Sequence, residues 1–168
     1  GKIQGACVPF FDGNGLSTGN NRFCFSPDGK TLWVGHSNHG WAGSRGIQKL
    51  TWTGKIPPDI HRITLTQAGF SLTFNVPLEK ASATSEKNYS IKSYSYKYHV
   101  GYGSPQVNVK KTIPSKAVLS GDAKTVHLSI PNMEARRIYE ISLQSLRTTK
   151  GSALINPLVV YHAHNLRE

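Results

Sequence analysis

Residues 57–76 read P-P-D-I-H-R-I-T-L-T-Q-A-G-F-S-L-T-F-N-V. Ile63 and Leu65 alternate with polar partners, Gln67-Ala68-Gly69 supplies a turn, and Phe70, Leu72, Phe74 and Val76 resume the alternation on one face. A period of two, carried by β-branched and aromatic residues around a glycine turn, describes a hairpin with one dry side. Such a face is unstable alone, so the segments that follow must bring a second layer over it.

With 168 residues the chain has room for one good core or two small units. Its 38% hydrophobic and 17% charged content belongs to folded domains and not to disordered ones. Sixteen Gly and nine Pro favour many turns over long helices. No apolar run approaches membrane-spanning length, so no membrane insertion is expected. The chain has no start Met, signal peptide or transit-like segment, and Gly1 reads as the edge of a processed or excised fragment.

Twenty Lys and Arg against nine acidic residues give a formal charge of +11. That excess draws anionic partners without choosing among nucleic acid, lipid and acidic polysaccharide. Residues 1–56 carry six basic and two acidic side chains, and residues 57–168 carry fourteen and seven. The bias is spread along the chain, not gathered into one arm, which speaks against nucleic acid as a partner. Cys7 and Cys24 are the only cysteines. They fit either a disulfide formed in an oxidising compartment or two separate thiols. With His36 and His39 only loosely placed, they fall short of a structural zinc signature.

Residues 10–21, rich in Gly and Asn, form an irregular excursion. Phe23 and Phe25 then alternate, Ser26-Pro27-Asp28-Gly29-Lys30 is a tight turn, and Thr31-Leu32-Trp33-Val34-Gly35 is the returning strand. A polar, Gly-rich loop over 36–46 precedes a third strand through Ile47, Leu50 and Trp52. Strand, Asp-Gly turn, strand, long loop, strand is the pattern of a propeller blade or part of one. Pro57-Pro58 marks the boundary. Beyond it about seven strands are expected. They include an aromatic strand through Tyr94, Tyr96, Tyr98, Val100 and Tyr102, another through Val126 and Leu128, and a third through Tyr139, Ile141 and Leu143. The expected fold is therefore all-β: an immunoglobulin-like β-sandwich over 57–168, preceded over 1–56 by a terminal β-propeller blade fragment.

Residues 57–155 resemble a bacterial immunoglobulin-like domain through P-x-I-x-x-I-x-L-T, G-F-S-L-T-F-N-V-P-L-E, Asn88-Tyr89-Ser90-Ile91 and Tyr139-Glu140-Ile141-Ser142-Leu143. Residues 1–53 resemble the end of the sugar-dehydrogenase-like β-propeller of large secreted planctomycete and verrucomicrobial proteins. That likeness rests on Asn21-Arg22-Phe23, Ser26-Pro27-Asp28-Gly29, Val34-Gly35-His36-Ser37-Asn38-His39-Gly40-Trp41 and Leu50-Thr51-Trp52-Thr53-Gly54-Lys55. The resemblance implies a secreted or periplasmic location and a place at the accessory end of a larger protein. The rest of the parent propeller or neighbouring domains would be its partners.

No haem-attachment motif or H-E-x-x-H pair occurs, and the Gly15-Leu16-Ser17-Thr18-Gly19 spacing lies in the irregular excursion and forms no strand-to-helix elbow, so no catalytic residue, cofactor or metal ligand is assigned. The candidates for ligand contact are Trp41, His39, Arg45, Tyr98 and Tyr102, because a sugar ring needs aromatic faces beside polar groups. Tyrosines of one parity serve equally well to cover a sheet or domain interface. Lys110-Lys111 and Arg136-Arg137 read as solvated turn or edge charges. The expected function is a non-catalytic accessory or structural module of a larger secreted carbohydrate-active or redox protein. A carbohydrate-binding module for neutral or acidic polysaccharide is the alternative, with quinone-dependent sugar oxidation behind it.

Overall fold

A computed structural model describes residues 3–11, 13–38 and 43–167. The described strands are β1 (Gly5–Cys7), β2 (Asn20–Phe25), β3 (Thr31–His36), β4 (Gly46–Thr51), β5 (Ile60–Leu65), β6 (Gly69–Phe74), β7 (Ser90–Tyr96), β8 (Gln106–Thr112), β9 (Lys116–Leu119), β10 (Thr125–Ser129), β11 (Arg137–Ser142) and β12 (Leu158–Ala163). The single α-helical segment among the described residues is α1 (Lys80–Thr84), one turn between β6 and β7. Glu79 caps it by accepting from the backbone N–H groups of Ala81 and Ser82. The chain divides into two compact units, Phe10–Ile56 and the remainder.

The larger unit grows from the hairpin of residues 57–76. Leu65 pairs with Phe70 and Ile63 with Leu72, and the turn is closed by Thr66, whose N–H donates to the Gly69 carbonyl at 2.9 Å. Sheet order β5-β6-β10-β9 faces a second sheet of order β1-β12-β11-β7-β8, with every pairing antiparallel. Leaving β1 aside, these are the A-B-E-D and G-F-C-C′ orders of immunoglobulin-type sandwiches. The Tyr139 hydroxyl accepts from the Glu134 N–H at 2.7 Å and donates to the Glu134 carbonyl at 2.9 Å. This ties the connection before β11 to the strand, as the tyrosine corner of that architecture does.

The core consists of the alternating residues of both sheets. Phe70, Leu72 and Phe74 from β6 and Val126 and Leu128 from β10 meet Ile91, Tyr139, Ile141, Val159 and Tyr161 from the facing strands. The Phe70 ring lies 5.7 Å from that of Tyr139 and 5.0 Å from that of Tyr161, so one side chain of the first sheet engages two strands of the second. Gly69 makes this seat possible, since a Cβ there would lie 2.2 Å from the Leu128 carbonyl oxygen.

The smaller unit overturns the propeller expectation. Residues 10–56 form an open three-stranded antiparallel meander, β2-β3-β4. A propeller blade is a four-stranded sheet stacked around a channel. Of the described hydrophobic side chains in this unit only Leu32 and Val34 are buried, while Phe23, Phe25, Ile47 and Trp52 are exposed. The signature that carried the resemblance is turn chemistry that is not specific to blades. Ser26-Pro27-Asp28-Gly29-Lys30-Thr31 recurs as Ser120-Gly121-Asp122-Ala123-Lys124-Thr125 in the β9–β10 hairpin of the sandwich. In both turns the serine hydroxyl donates to the aspartate, at 2.6 and 2.5 Å, and the lysine N–H donates to the same carboxylate oxygen at 3.0 Å. The threonine N–H donates to the serine hydroxyl, at 3.0 and 2.9 Å.

Two further differences concern strands. β1 pairs with β12 through Gly5, Ala6 and Cys7, so the chain's first strand belongs to the sandwich sheet. The aromatic run does not continue as one strand to Tyr102. β7 ends at Tyr96, the Lys97 N–H donates to the Pro105 carbonyl at 3.1 Å, and the chain turns back as β8.

Phe70→Ala should destabilise the sandwich by about 3–5 kcal/mol in denaturant unfolding, because it removes the ring that joins the sheets. Gly69→Ala should cost roughly 1–3 kcal/mol or more through the clash with the Leu128 carbonyl. The two hairpin turns supply an opposite test. Ala123 sits at φ 56 where Gly29 sits at φ 68, so Ala123→Gly should stabilise by roughly 1 kcal/mol and raise the melting temperature.

Candidate functional site

The β7–β8 hairpin brings polar and aromatic side chains together at its base. Its base is fixed by Arg137, which is 6% exposed and not a solvated edge charge. The Arg137 Nε donates to the Ser93 hydroxyl at 3.2 Å and Nη2 to the Ser93 carbonyl at 3.0 Å, and Nη2 also reaches the Asn108 carbonyl. Its Nη1 lies 3.1 Å from Glu134 Oε2. One guanidinium thus joins β11, β7, β8 and the connection before β11, using the planar array of donors that lysine lacks. The Lys110 ammonium bonds the other oxygen of Glu134.

On the sheet face away from the core, Tyr94 donates to Glu140 Oε1 at 2.8 Å, and Lys92 lies 3.4 Å from Glu140 Oε2 and 4.9 Å above the Tyr94 ring. Tyr96 stands edge-on to Tyr94 at 5.4 Å. Burial, and then the bond to Glu140, push the Tyr94 phenol above its ordinary pKa, which keeps it a neutral donor.

Beyond this base the hairpin projects a bare tip. Tyr98, Val100 and Tyr102 have relative exposures of 102%, 108% and 109%. The Gly101 N–H donates to His99 Nδ1 at 3.1 Å, giving the tip a local closure. Of the sequence-derived ligand candidates, Tyr98 and Tyr102 are therefore on this convex tip, and Arg45 is an exposed residue just before β4 in the meander unit. His39 and Trp41 lie outside the described residues. Among the described residues, the ring nitrogens of His36 are buried with no hydrogen-bond partner. Cys7 and Cys24 are exposed free thiols.

The described residues give the carbohydrate reading no support. A sugar site needs aromatic faces and polar groups converging on one cavity. Here Tyr94 is covered, Tyr98 and Tyr102 stand away from any wall, and the clefts are lined by other residues. The cleft of the meander unit, about 400 Å³, is bounded by Phe10, Phe11, Phe25, Leu32, Leu50 and Trp52. Among the described residues no three His, Cys, Asp or Glu side chains gather in a metal-binding cluster. No described helix is long and apolar enough to cross a membrane. Sequence reasoning placed Tyr139 on an alternating strand but missed the bonds of its hydroxyl and the burial of Arg137. The signal was the parity of β11, which places both residues on the inward face.

No protein-family model matches the chain, and no curated protein matches it. Among solved structures it is similar to the crystal structure of the S-layer protein rSbsC, at 20% identity and a TM-score of 0.46, over 61% of this chain and 13% of that one. The sugar-dehydrogenase-like propeller resemblance has no counterpart in these comparisons, and the open meander removes its structural basis.

Glu134 is held below its ordinary value of 4.5, first by the Lys110 hydrogen bond and then by the charges of Lys110 and Arg137. A lowered folded-state pKa stabilises above the unfolded value, and that stabilisation is lost as pH falls through the folded value. Melting temperature should therefore drop as pH falls below about 4.5. Glu134→Gln should melt lower at neutral pH and show a shallower acid decline, measured by circular dichroism.

Proposed function

We propose that this chain is a structural and interaction module of a larger protein, acting through rigid presentation of surfaces and not through catalysis. The observation that supports this most directly is how six of the described carboxylates are used. Asp28 and Asp122 close turns, Glu79 caps a helix, and Asp59 accepts from the Ile60 N–H at 2.7 Å and from Asn156 at 2.6 Å. Glu134 and Glu140 hold cations of the hairpin base. A general acid or base needs a carboxyl free to exchange a proton with substrate. These groups instead fix backbone and neighbouring strands.

Within this reading the partners are neighbouring domains of the same parent protein, and the location is secreted or periplasmic. A two-sheet sandwich suits that role, because it resists deformation while its loops and edges remain available for contact.

Catalytic carboxylates commonly sit at a cost to stability, so neutralising one tends to stabilise the fold. A structural carboxylate behaves in the opposite way. Glu140→Gln and Asp59→Asn should each lower the melting temperature at neutral pH. If either substitution raised it instead, the structural assignment of that carboxylate would fail. Fractionation of cells producing the parent protein, probed with an antibody to this chain, should recover it outside the cytoplasm.

A further inference from the structure

We infer that one end of the sandwich is a peripheral docking surface for an anionic lipid bilayer, with the β7–β8 tip entering the headgroup layer. Tyr98, Val100 and Tyr102 recur at every second position and are wholly exposed. Isolated exposed apolar residues are ordinary on a protein surface, but three on one short protruding turn are a concentrated apolar feature. Tyrosine rings suit the boundary between headgroups and acyl chains, where one edge is wet and the other apolar. Ile3, 92% exposed, precedes Gly5, which pairs with His162 at this same end of the sheet.

The charge around the tip is complementary to a bilayer. The hairpin from 90 to 112 has four lysines, one histidine and no acidic residue. The pairing places further cations at this end. Arg137 is opposite Ala163, so the connection with exposed Arg136 and the segment with exposed Arg167 both emerge beside the tip. The Ser95 hydroxyl donates to the Arg136 carbonyl at 3.3 Å, which ties that connection to the hairpin. Glu134, the carboxylate of this connection, is already matched by Lys110 and Arg137. Lys97, Arg136 and Arg167 thus border an apolar tip, the combination by which peripheral proteins add electrostatic attraction to shallow insertion.

This contact differs from membrane spanning, since only a loop tip reaches headgroup depth. A single-stranded nucleic-acid platform would need flat aromatic faces laid along a groove. A tip with an aliphatic side chain at its centre favours the bilayer instead.

The test uses the full chain in co-sedimentation with phosphatidylcholine vesicles, with and without phosphatidylglycerol, at low and high salt. Binding is expected to the phosphatidylglycerol vesicles at low salt, to weaken at high salt, and to be slight on phosphatidylcholine alone. The combined Tyr98→Ser, Val100→Ser and Tyr102→Ser variant should keep its melting temperature, because these side chains pack against nothing, and lose about tenfold or more in binding. Lys97→Gln with Arg136→Gln should cost about tenfold or more at low salt. No binding of the native chain to anionic vesicles overturns the inference, as does binding that the tip variant leaves unchanged. Retention on single-stranded DNA with tip dependence but none on vesicles also overturns it and assigns the surface to nucleic acid. Neither failure bears on the carboxylate substitutions that test the structural-module reading.

Discussion

The sandwich depends on the Phe70 ring reaching from β6 to both Tyr139 and Tyr161. Two stacked sheets gain stability only when their inner side chains interdigitate, and an aromatic ring that bridges two facing strands fixes their lateral position as well as their separation. Gly69 lets the β6 backbone come close to β10 immediately before that ring. Tyr139 then performs a second task, because its hydroxyl bonds the backbone of Glu134. Through Phe70 and Tyr139 the packing of the core and the course of the connection before β11 are parts of one arrangement.

That coupling continues outward to the hairpin arm. Glu134, positioned by Tyr139, holds both Arg137 and Lys110, and Arg137 fixes carbonyls on β7 and β8. Asn108, at φ 54, presents one of those carbonyls, so the irregularity in the β7–β8 pairing has a partner that satisfies it. A buried guanidinium is costly unless its donors are occupied, and here each nitrogen has an acceptor. The tip is therefore carried on a base whose geometry is set by the core.

The alternation in 63–76 and at Val126 and Leu128 made the sandwich legible, because burial on one side of a sheet leaves a period of two in the sequence. The meander is not legible in the sequence because Ser-Pro-Asp-Gly-Lys-Thr determines how two strands are joined, not how many strands follow or what they stack against. Its counterpart at 120–125 closes a sandwich hairpin with the same bonds. β1 left no signal, since Gly-Ala-Cys has no alternation and its pairing partner lies more than 150 residues away. Arg137 reads as surface charge in the sequence because parity alone does not reveal that a cation's acceptors are backbone carbonyls of neighbouring strands. The tyrosine run was legible as aromatic but not as a turn, since its period of two persists through a tip where no partner strand lies alongside.

The pairing of β1 with β12 has a mechanical consequence. Gly5 is opposite His162, and Cys7 is opposite Val160, so chain leading into β1 and chain leaving β12 depart from the same end of the ladder. Tension applied through those two directions would load the three residue pairs one after another, as a zipper is opened, and not all at once in shear. Such a link yields at low force while the packed sheets behind it stay intact. The released strand would then pass the load through residues 10–56 to β5, giving the protein a compliant element in series with a stiff one.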